Sequence, residues 1–408
     1  MTQTKTTSAS AYSLEQNSFL AGKEMAEKAF SKMDADHVDF AFVFATSDHD
    51  ANELLKGIRT VIGEDTPLTG GTTVGVITNE HIGYAGFQAG IMLIASDEMQ
   101  FQTTRTEGLH QGEYEAGKKA GRELKKIMNV ENPNLLILYD LVQRDPDSLI
   151  PFYQTAPILD GIESEIGKLP PSAGVGYATG VDRRQIEMWD KETITSDAIM
   201  PVLISGNVRM HTTIMHCMYP VTDYHTITKC DGPKIIEIDN RPAIEIANEY
   251  LGEDLEIDWK EVTFLLFLGI HRGKKYESFN EEDYVNRMVL GVNESEGAMY
   301  MIEGDFREGD EFQFMQKLPV TDAVAEGAKK LLDSLDGRQP VFALYISCAG
   351  RVKPLFGSEK EEAEEIQETV GKVIPVLGLY SGVEIAEVKG KLMPLDWTGV
   401  LCVFSVPQ

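Results

Sequence analysis

The chain has 408 residues, which is more than one hydrophobic core usually holds, so two domains are expected. Its composition, 42% hydrophobic and 25% charged, is that of a folded globular protein. The 65 acidic residues outnumber the 37 basic ones and give a net charge of −28, which argues against nucleic acid and membranes as partners because both are anionic.

The chain begins with a polar tail and a first α/β unit. Residues 1–12 are mostly small and polar, which predicts a disordered tail ahead of a first domain at residues 13–218. An apolar strand is predicted at Phe40–Thr46, and Asp48 is placed to cap the helix that follows it. A glycine-rich strand comes next. This order of strand, helix and strand is typical of a βαβ unit.

A pattern of two apolar strands separated by a glycine-rich segment recurs along the chain. The clearest copies are near the two ends, at Phe40–Thr46, Pro67–Ile77 and Gly90–Ser96, and at Val341–Ser347, Pro375–Ile385 and Gly399–Ser405. Two looser copies lie between them, LLILYD with SAGVGYATG and IMPVLISG, and TFLLFLGI with NRMVLGVNES and GAMYMI. The pattern predicts an α/β fold in which duplicated βαβ-like units form mixed sheets in two domains. The second looser copy leaves little room for a helix.

The second domain is predicted at residues 219–408. It opens with a hairpin and a helix that Gly252 ends, and further helices are predicted at Asp322–Leu335 and Ser358–Val370. The acidic run Glu359–Glu368 is interpreted as the solvent-facing side of the last helix rather than as a metal site.

Nucleotide, hydrolase and zinc motifs are not supported by the spacing of the residues. Gly161–Leu169 approaches a phosphate-binding loop, but it is one residue too long and ends in leucine where the loop needs a hydroxyl. The chain contains neither GxSxG nor HExxH. Histidines and cysteines cluster between His211 and Cys230 without a zinc spacing. No metal is therefore predicted, and haem bound by one of these histidines or by His271 stays an alternative.

Two features favour the cytoplasm as the location. The four cysteines form no CxxC pair, which fits a reducing compartment. The polar start of the chain lacks the basic and then apolar order of a signal peptide. We expect a soluble cytoplasmic protein.

Several short motifs, in order along the chain, resemble those of one protein family. ITKCDGPKIIEIDNRPAIEIANEYLG resembles the hairpin and helix that open the FIST C domain, and SCAGR at Ser347–Arg351 resembles its Cys-x-x-Arg segment. PVLGLYSGVEI and PLTGGTTVGVI resemble the glycine-rich elements of FIST C and FIST N. The chain departs from the pattern at Gly71, where the family often has cysteine, and at Val76, where it often has glutamate.

The resemblance implies a sensory module that binds a small ligand, with amino acids as the favoured class. Some members of the family bind haem. Because no kinase, cyclase or methyl-accepting module is recognised in this chain, we expect it to signal through a separate partner protein.

The predicted ligand site combines the two glycine-rich elements. Backbone N–H groups and hydroxyls of the first element would face an anion such as a carboxylate. Arg351 would bind a carboxylate through two hydrogen bonds, and Glu384 would receive an ammonium group. The full set of predicted ligand-binding residues is Gly70, Gly71, Thr72, Thr73, Gly75, Arg351, Tyr380, Ser381 and Glu384. The alternative is structural: a tight turn into a strand, a surface ion pair at Arg351 and a rim charge at Glu384.

Two other functions are kept as alternatives. Cys348 is the candidate nucleophile of an enzyme acting on a small amino or carboxylic acid, with Arg351 lowering the pKa of its thiol. A buried structural thiol is the competing interpretation of Cys348. The second alternative is a haem-based gas sensor.

Overall fold

The structure is a computed structural model that describes residues 6–143, 151–179, 186–191, 193–252, 259, 265–318 and 321–408. It contains three repeats of one α/β unit, and an antiparallel sheet is inserted in the third repeat. The mixed α/β class predicted from the sequence is confirmed.

The first repeat consists of the following elements: β1 (Thr6–Ser13), α1 (Ser18–Ser31), β2 (Phe40–Ala45), α2 (Ala51–Ile62), β3 (Leu68–Thr72), β4 (Gly75–Thr78), β5 (Ile82–Gly83) and β6 (Ala89–Ser96). The prediction of a disordered tail is wrong for residues 6–12, because they form β1, which pairs along its whole length with β6; residues 1–5 lie outside the described residues. Helix α2 is capped by Asp50 rather than Asp48, since the Asp50 carboxylate accepts the N–H of Glu53 at 3.0 Å.

The second repeat follows the same order with additional short strands: β7 (Met99–Thr103), β8 (Thr106–Glu107), α3 (Glu113–Ile127), β9 (Asn134–Asp140), α4 (Thr155–Ile166), β10 (Ser172–Tyr177), β11 (Met188–Trp189), β12 (Ile194–Thr195), β13 (Ala198–Ile199) and β14 (Val202–Gly206).

The third repeat is interrupted after its first strand, β15 (Arg209–Met215). The inserted sheet and its helix are β16 (Met218–Pro220), β17 (His225–Asp231), β18 (Lys234–Ile238), β19 (Arg241–Pro242), α5 (Ala243–Leu251), β20 (Phe267–His271), β21 (Tyr284–Asn293), β22 (Ala298–Met301) and β23 (Glu311–Lys317). The second looser sequence copy is β20, β21 and β22, which pair antiparallel. It is therefore part of the insert and not a βαβ unit.

The third repeat then resumes with α6 (Asp322–Asp333), β24 (Gln339–Cys348), α7 (Lys353–Phe356), α8 (Glu362–Thr369), β25 (Val376–Ser381), β26 (Val383–Val388), β27 (Lys391–Leu395) and β28 (Gly399–Val406). Short 3₁₀ turns lie at Leu109–Gln111, Glu281–Asp283 and Ala349–Arg351.

Each repeat contributes four strands to one sheet. Across the sheet, the first strand of the repeat lies beside its last strand, followed by the second and the third. The three sheets are therefore β1-β6-β2-β3, β7-β14-β9-β10 and β15-β28-β24-β25. In each sheet the second and third strands are parallel, as in β2 and β3, and the other neighbours are antiparallel. This repetition explains the recurring sequence pattern.

The three sheets exchange strands in a ring. After its third strand, each repeat adds the following strand to a different sheet: β4 pairs with β25, β11 pairs with β3, and β26 pairs with β10. Two of these pairings join residues on opposite sides of the predicted boundary at 218. The glycine-rich segments are the points where the chain passes from one sheet to the next.

The core lies between the inner faces of the three sheets. Phe42 from the first sheet, Val175 from the second and Phe342 from the third belong to one buried apolar cluster. The outer faces are covered by helix pairs, α1 with α2, α3 with α4, and α6 with α8. Among the described residues, no helix is both long enough and apolar enough to cross a membrane.

Candidate functional site

The two predicted glycine-rich elements meet in the structure. The pairing of β4 with β25 sets Gly75 opposite Tyr380. The Thr73 hydroxyl donates to the Tyr380 carbonyl at 2.6 Å, and the Val74 N–H donates to the same oxygen at 3.2 Å. The structure therefore brings the two segments together, and these polar groups contact each other.

The polar groups of the first element are used by the fold. A Cβ atom added at Gly70 would lie 1.7 Å from the Val43 carbonyl, so glycine is required there for the approach of two backbones. Gly71 lies against the Tyr177 ring. Thr72 donates its N–H to the Glu187 carbonyl at 2.8 Å and accepts the Glu187 N–H on its hydroxyl at 2.9 Å. These groups satisfy strand pairing rather than face an open anion site.

Arg351 is buried and already holds a carboxylate of the protein. Its guanidinium forms an ion pair with Glu362, which stands where the sequence prediction placed a ligand carboxylate. It also donates to the His216 carbonyl at 2.8 Å and to the Trp397 carbonyl at 3.0 Å. Burial alone would lower the pKa of Arg351, but the Glu362 carboxylate outweighs it and raises that pKa. The surface ion pair considered as its alternative is also wrong, because both partners are buried.

The interpretation of the acidic run as the solvent-facing side of the last helix is wrong at two of its members, Glu361 and Glu362. Glu362 is 0% exposed and accepts hydrogen bonds from Tyr345 and Ser347, each at 2.7 Å. Glu361 is also buried and accepts hydrogen bonds from the Tyr84 hydroxyl at 3.0 Å and the Tyr380 hydroxyl at 3.3 Å. Helical periodicity cannot show this, because Tyr345 and Ser347 lie on β24, Tyr380 lies on β25 and Tyr84 follows β5.

Glu384 and Ser381 form a second buried group beside Arg351. The Ser381 hydroxyl and the Thr398 N–H approach the Glu384 carboxyl at 2.7 and 3.2 Å. Burial raises the pKa of Glu384 well above its usual value, so this carboxyl is a weak receptor for an ammonium group. The alternative of a rim charge at Glu384 is wrong, because the residue is fully buried.

Cys348 has the environment of a structural thiol. Burial raises its pKa well above the usual value, and the nearby Glu384 adds to the effect. The expectation that Arg351 lowers the pKa of this thiol is therefore wrong, since the guanidinium is paired with Glu362. Because the thiolate is the nucleophile, this arrangement argues against catalysis by Cys348.

The histidines considered for haem or metal have protein partners. His211 lies 2.9 Å from the Ser405 hydroxyl, His225 lies 2.7 Å from the Asp239 carboxylate, and His271 lies 2.9 Å from the Tyr224 hydroxyl. His216 is buried, and burial lowers its pKa. Within the described ranges, no three His, Cys, Asp or Glu side chains are placed to hold a metal ion.

Sequence reasoning missed an open cleft in the second repeat, called the polar cleft here. It has a volume of about 890 Å³ and is lined by Glu107, Gly108, His110, Gln111, Gln143, Tyr153, Thr195, Ser196 and Asp197. It lies near the carboxyl end of β9, where ligands of α/β sheets commonly bind. The one sequence signal was Asp140, a buried acid at the end of a predicted strand.

Asp197 is the centre of the polar cleft. Its backbone adopts a φ of 54° and its N–H donates to the Asp140 carboxylate at 2.7 Å, which fixes the residue to the end of β9. The Asp197 carboxylate accepts the Tyr153 hydroxyl at 2.8 Å and the His110 N–H at 2.9 Å, and it contacts the His110 ring. Its side chain is still 20% exposed, so a ligand can reach it.

Two models of known protein domains together match most of the chain. The FIST N domain model matches residues 39–241, and the FIST C domain model matches residues 243–387. An uncharacterized protein of Mycobacterium bovis is 27% identical over 277 residues, which are 65% of this chain and 69% of that protein. An uncharacterized protein of Mycobacterium tuberculosis is 25% identical over 276 residues, 65% of this chain and 70% of that protein.

Similarity to solved structures is weak. A cyanuric acid hydrolase from A. caulinodans aligns with a TM-score of 0.37 and 9% identity, over 99% of this chain and 100% of that one. PurLQS from Thermotoga maritima aligns with a TM-score of 0.22 and 10% identity, over 99% of this chain and 72% of that one. Neither similarity is close enough to support a functional argument.

Proposed function

The chain belongs to the FIST family, whose domains are sensory, ligand-binding signalling modules, and from that premise we propose that it is a cytoplasmic sensor that binds an amino acid in the polar cleft. The observation that carries the proposal is the partly exposed Asp197 carboxylate in a cleft of about 890 Å³, a size that suits a small molecule.

The charges of the polar cleft favour a ligand with an ammonium group. Asp197 and Glu107 supply two carboxylates, and Glu107 is 57% exposed. An ammonium donor between them gains charge-assisted hydrogen bonds. Tyr153, Gln143 and Thr195 add neutral polar groups to the cleft for the rest of the ligand.

The structure gives less support to a ligand that is recognised only by its carboxylate than to one with an ammonium group. The site predicted for such a ligand depends on Arg351, and that guanidinium is buried against Glu362. In the present proposal Arg351, Ser381 and Glu384 support the fold around the strand exchange. The output is proposed to pass to a separate protein, since both matched domains are sensory modules.

Thermal shift measurements test this function. The purified chain is heated with each of the twenty amino acids, with small carboxylates and with haem. An amino acid at one hundred times its dissociation constant stabilises the folded state by about 2.7 kcal/mol. That free energy corresponds to a rise in Tm of about 5 °C.

Asp197→Asn and Asp336→Asn are the matched variants. Both replace an aspartate at positive φ, 54° and 53°, where asparagine is tolerated, and Asp336 lies outside the cleft. The Tm shift is expected to disappear in Asp197→Asn and to persist in Asp336→Asn. An equal shift in both variants, or no shift with any amino acid, would contradict the proposal.

A further inference from the structure

We propose that a second cleft, between the inserted sheet and the hairpin of β26 and β27, binds a small organic anion that carries a phosphate or several carboxylate groups. We call it the cationic cleft. It has a volume of about 400 Å³ and is lined by Arg272, Asp305, Arg307, Asp310, Val388, Lys389, Lys391 and Met393.

Three separate elements bring the cations of this cleft together. Arg272 follows the end of β20, and Arg307 begins a turn that Asp310 closes ahead of β23. Lys389 and Lys391 belong to the tight turn between β26 and β27, in which Lys389 and Gly390 have φ values of 50° and 80°. The lining cations therefore come from both sides of the junction between the insert and the third repeat.

Two of the four lining cations have no partner among the described residues. The Arg272 Nε is buried without a hydrogen bond in the part of the chain that the structure describes. Across those same residues, the side chains of Arg307 and Lys391 form neither a hydrogen bond nor an ion pair. Lys389 differs, because it pairs with Asp283 at 2.5 Å. In a chain with a net charge of −28, two unpaired cations and a buried Arg272 Nε that lacks a hydrogen bond around one cleft indicate an anionic ligand.

The carboxylates in the lining do not cancel this charge. Asp305 is held by Arg287 through two hydrogen bonds of 2.7 Å each, so an internal cation neutralises it. Burial would raise the pKa of Asp305, but Arg287 and Arg272 lower it below its usual value. Asp310 accepts the backbone N–H of Arg307 at 2.9 Å and thereby fixes the turn. Asp305 therefore lines the cleft as one member of a buried ion pair with Arg287.

A smaller chamber continues from the cationic cleft. Its volume is about 200 Å³, and it shares Asp305, Arg307, Lys391 and Met393 with the larger cleft. Apart from Asp160, its other walls are apolar side chains and a glycine: Ala156, Pro157, Leu159, Gly304, Phe306, Leu392 and Pro394. An anion with a compact organic body therefore fits better than a bare inorganic ion, with its charged group beside Arg307 and Lys391. Arginine and lysine are the side chains that bind phosphate and carboxylate groups most strongly.

Isothermal titration calorimetry with sodium glycerol 2-phosphate and sodium citrate tests the site, with sodium chloride at matched ionic strength as the reference. The two anions separate phosphate from carboxylate recognition, and the one with the lower Kd identifies the preferred group. Saturable binding of one of them is expected, and the double variant Arg307→Gln with Lys391→Gln is expected to raise its Kd by about tenfold or more.

Two controls keep the result interpretable. Lys372→Gln removes one exposed positive charge outside both chambers and is expected to leave Kd unchanged. The single variant Lys391→Gln changes an exposed, unpaired side chain and is expected to keep the wild-type Tm in chloride while weakening anion binding. Absence of saturable binding by both anions, or the same Kd in the double variant, would overturn the proposal.

Discussion

At the scale of single residues, the most consequential feature is the buried pair of Arg351 and Glu362. Both side chains are 0% exposed, and the pair is surrounded by hydrogen bonds from Tyr345, Ser347 and the guanidinium itself. A buried ion pair contributes little net stability compared with apolar residues, but removing one partner leaves an uncompensated charge. The pair is therefore a structural anchor whose integrity can be measured.

Glu362→Gln is expected to destabilise the protein strongly. The neutral side chain leaves the Arg351 charge buried, which costs about 3–5 kcal/mol of unfolding free energy. Urea unfolding followed by circular dichroism measures this loss. Glu368→Gln is the control, because Glu368 is 55% exposed beside Lys360 and such pairs contribute less than about 1 kcal/mol. Equal stability of the two variants would show that Arg351 and Glu362 do not form the buried pair.

The buried Glu303 predicts a dependence of stability on pH. Burial raises its pKa from the usual 4.5 to about 8, while its carboxyl accepts hydrogen bonds from Thr155. A carboxyl whose pKa is raised on folding stabilises the folded state fully below its unfolded pKa and loses that contribution as the pH rises toward 8. Stability should therefore fall between pH 5 and pH 8 on account of this group.

Glu303→Gln is expected to reduce that fall, because glutamine does not ionise. The free energy of unfolding is measured by urea titration at several pH values between about 5 and 8. Glu308→Gln, a change at an exposed glutamate, should retain the wild-type slope. A Glu303→Gln slope identical to that of the wild type would show that Glu303 is ionised in the folded state throughout this range.

Residue roles were the part of the site that the sequence predicted least well. It selected Arg351, Ser381 and Glu384, which are close together in space, but it did not reveal that they are buried among partners from β24 and α8. Nor did it indicate Asp197, because no local pattern joins that residue to Asp140, 57 positions earlier. Contacts over such separations depend on the topology rather than on local periodicity.

At the scale of elements, helix pairs in the first two repeats pack through glycines. A Cβ atom at Gly22 of α1 would lie 2.0 Å from the Leu54 carbonyl of α2. In the second repeat a Cβ atom at Gly117 of α3 would lie 2.2 Å from the Ile158 carbonyl of α4. The backbones thus approach closely at corresponding places, which is further support for the repeat.

Gly117→Ala should therefore destabilise the protein, although alanine favours helices more than glycine does. Overpacking against a backbone carbonyl costs about 1–3 kcal/mol. Gly327→Ala in α6 is the matched control, because its Cβ atom would meet only the flexible Met215 side chain, at 2.9 and 3.0 Å. That variant should be neutral or slightly stabilising. Thermal unfolding of both variants measures the two effects. A higher Tm in Gly117→Ala than in the wild type would contradict the close packing of α3 against α4.

Most regular elements could be predicted from the sequence, since strand runs and helix caps are local. Helix α6 lies close to its predicted range, Asp322–Leu335, and Gly252 ends α5 as predicted. The four copies of the pattern predicted one repeat too many, because the apolar strands of the inserted sheet resemble those of the repeats. The strand exchange was not predicted, because pairing between distant strands has no local signal.

At the scale of the whole molecule, strand exchange makes the three repeats depend on one another. Strand β4 pairs with β25 and β10 pairs with β26, so the first two repeats rely on strands near the carboxyl end of the chain. A fragment of residues 1–215 would leave these edges unpaired. We expect this fragment to lack a unique fold, as judged by a poorly dispersed ¹H–¹⁵N spectrum. A well-dispersed spectrum of the isolated fragment would contradict the interdependence.

The sensor hypothesis also concerns the whole molecule, because it places the ligand site in only one of the three repeats that exchange strands. Calorimetric titration of the amino acid that gives the largest Tm shift tests it most directly, in the wild type, Asp197→Asn and Asp336→Asn. We predict saturable one-site binding in the wild type and in Asp336→Asn, and a Kd at least about tenfold higher in Asp197→Asn, because a charge-assisted hydrogen bond is lost. Unchanged affinity in Asp197→Asn would show that the polar cleft is not the amino-acid site.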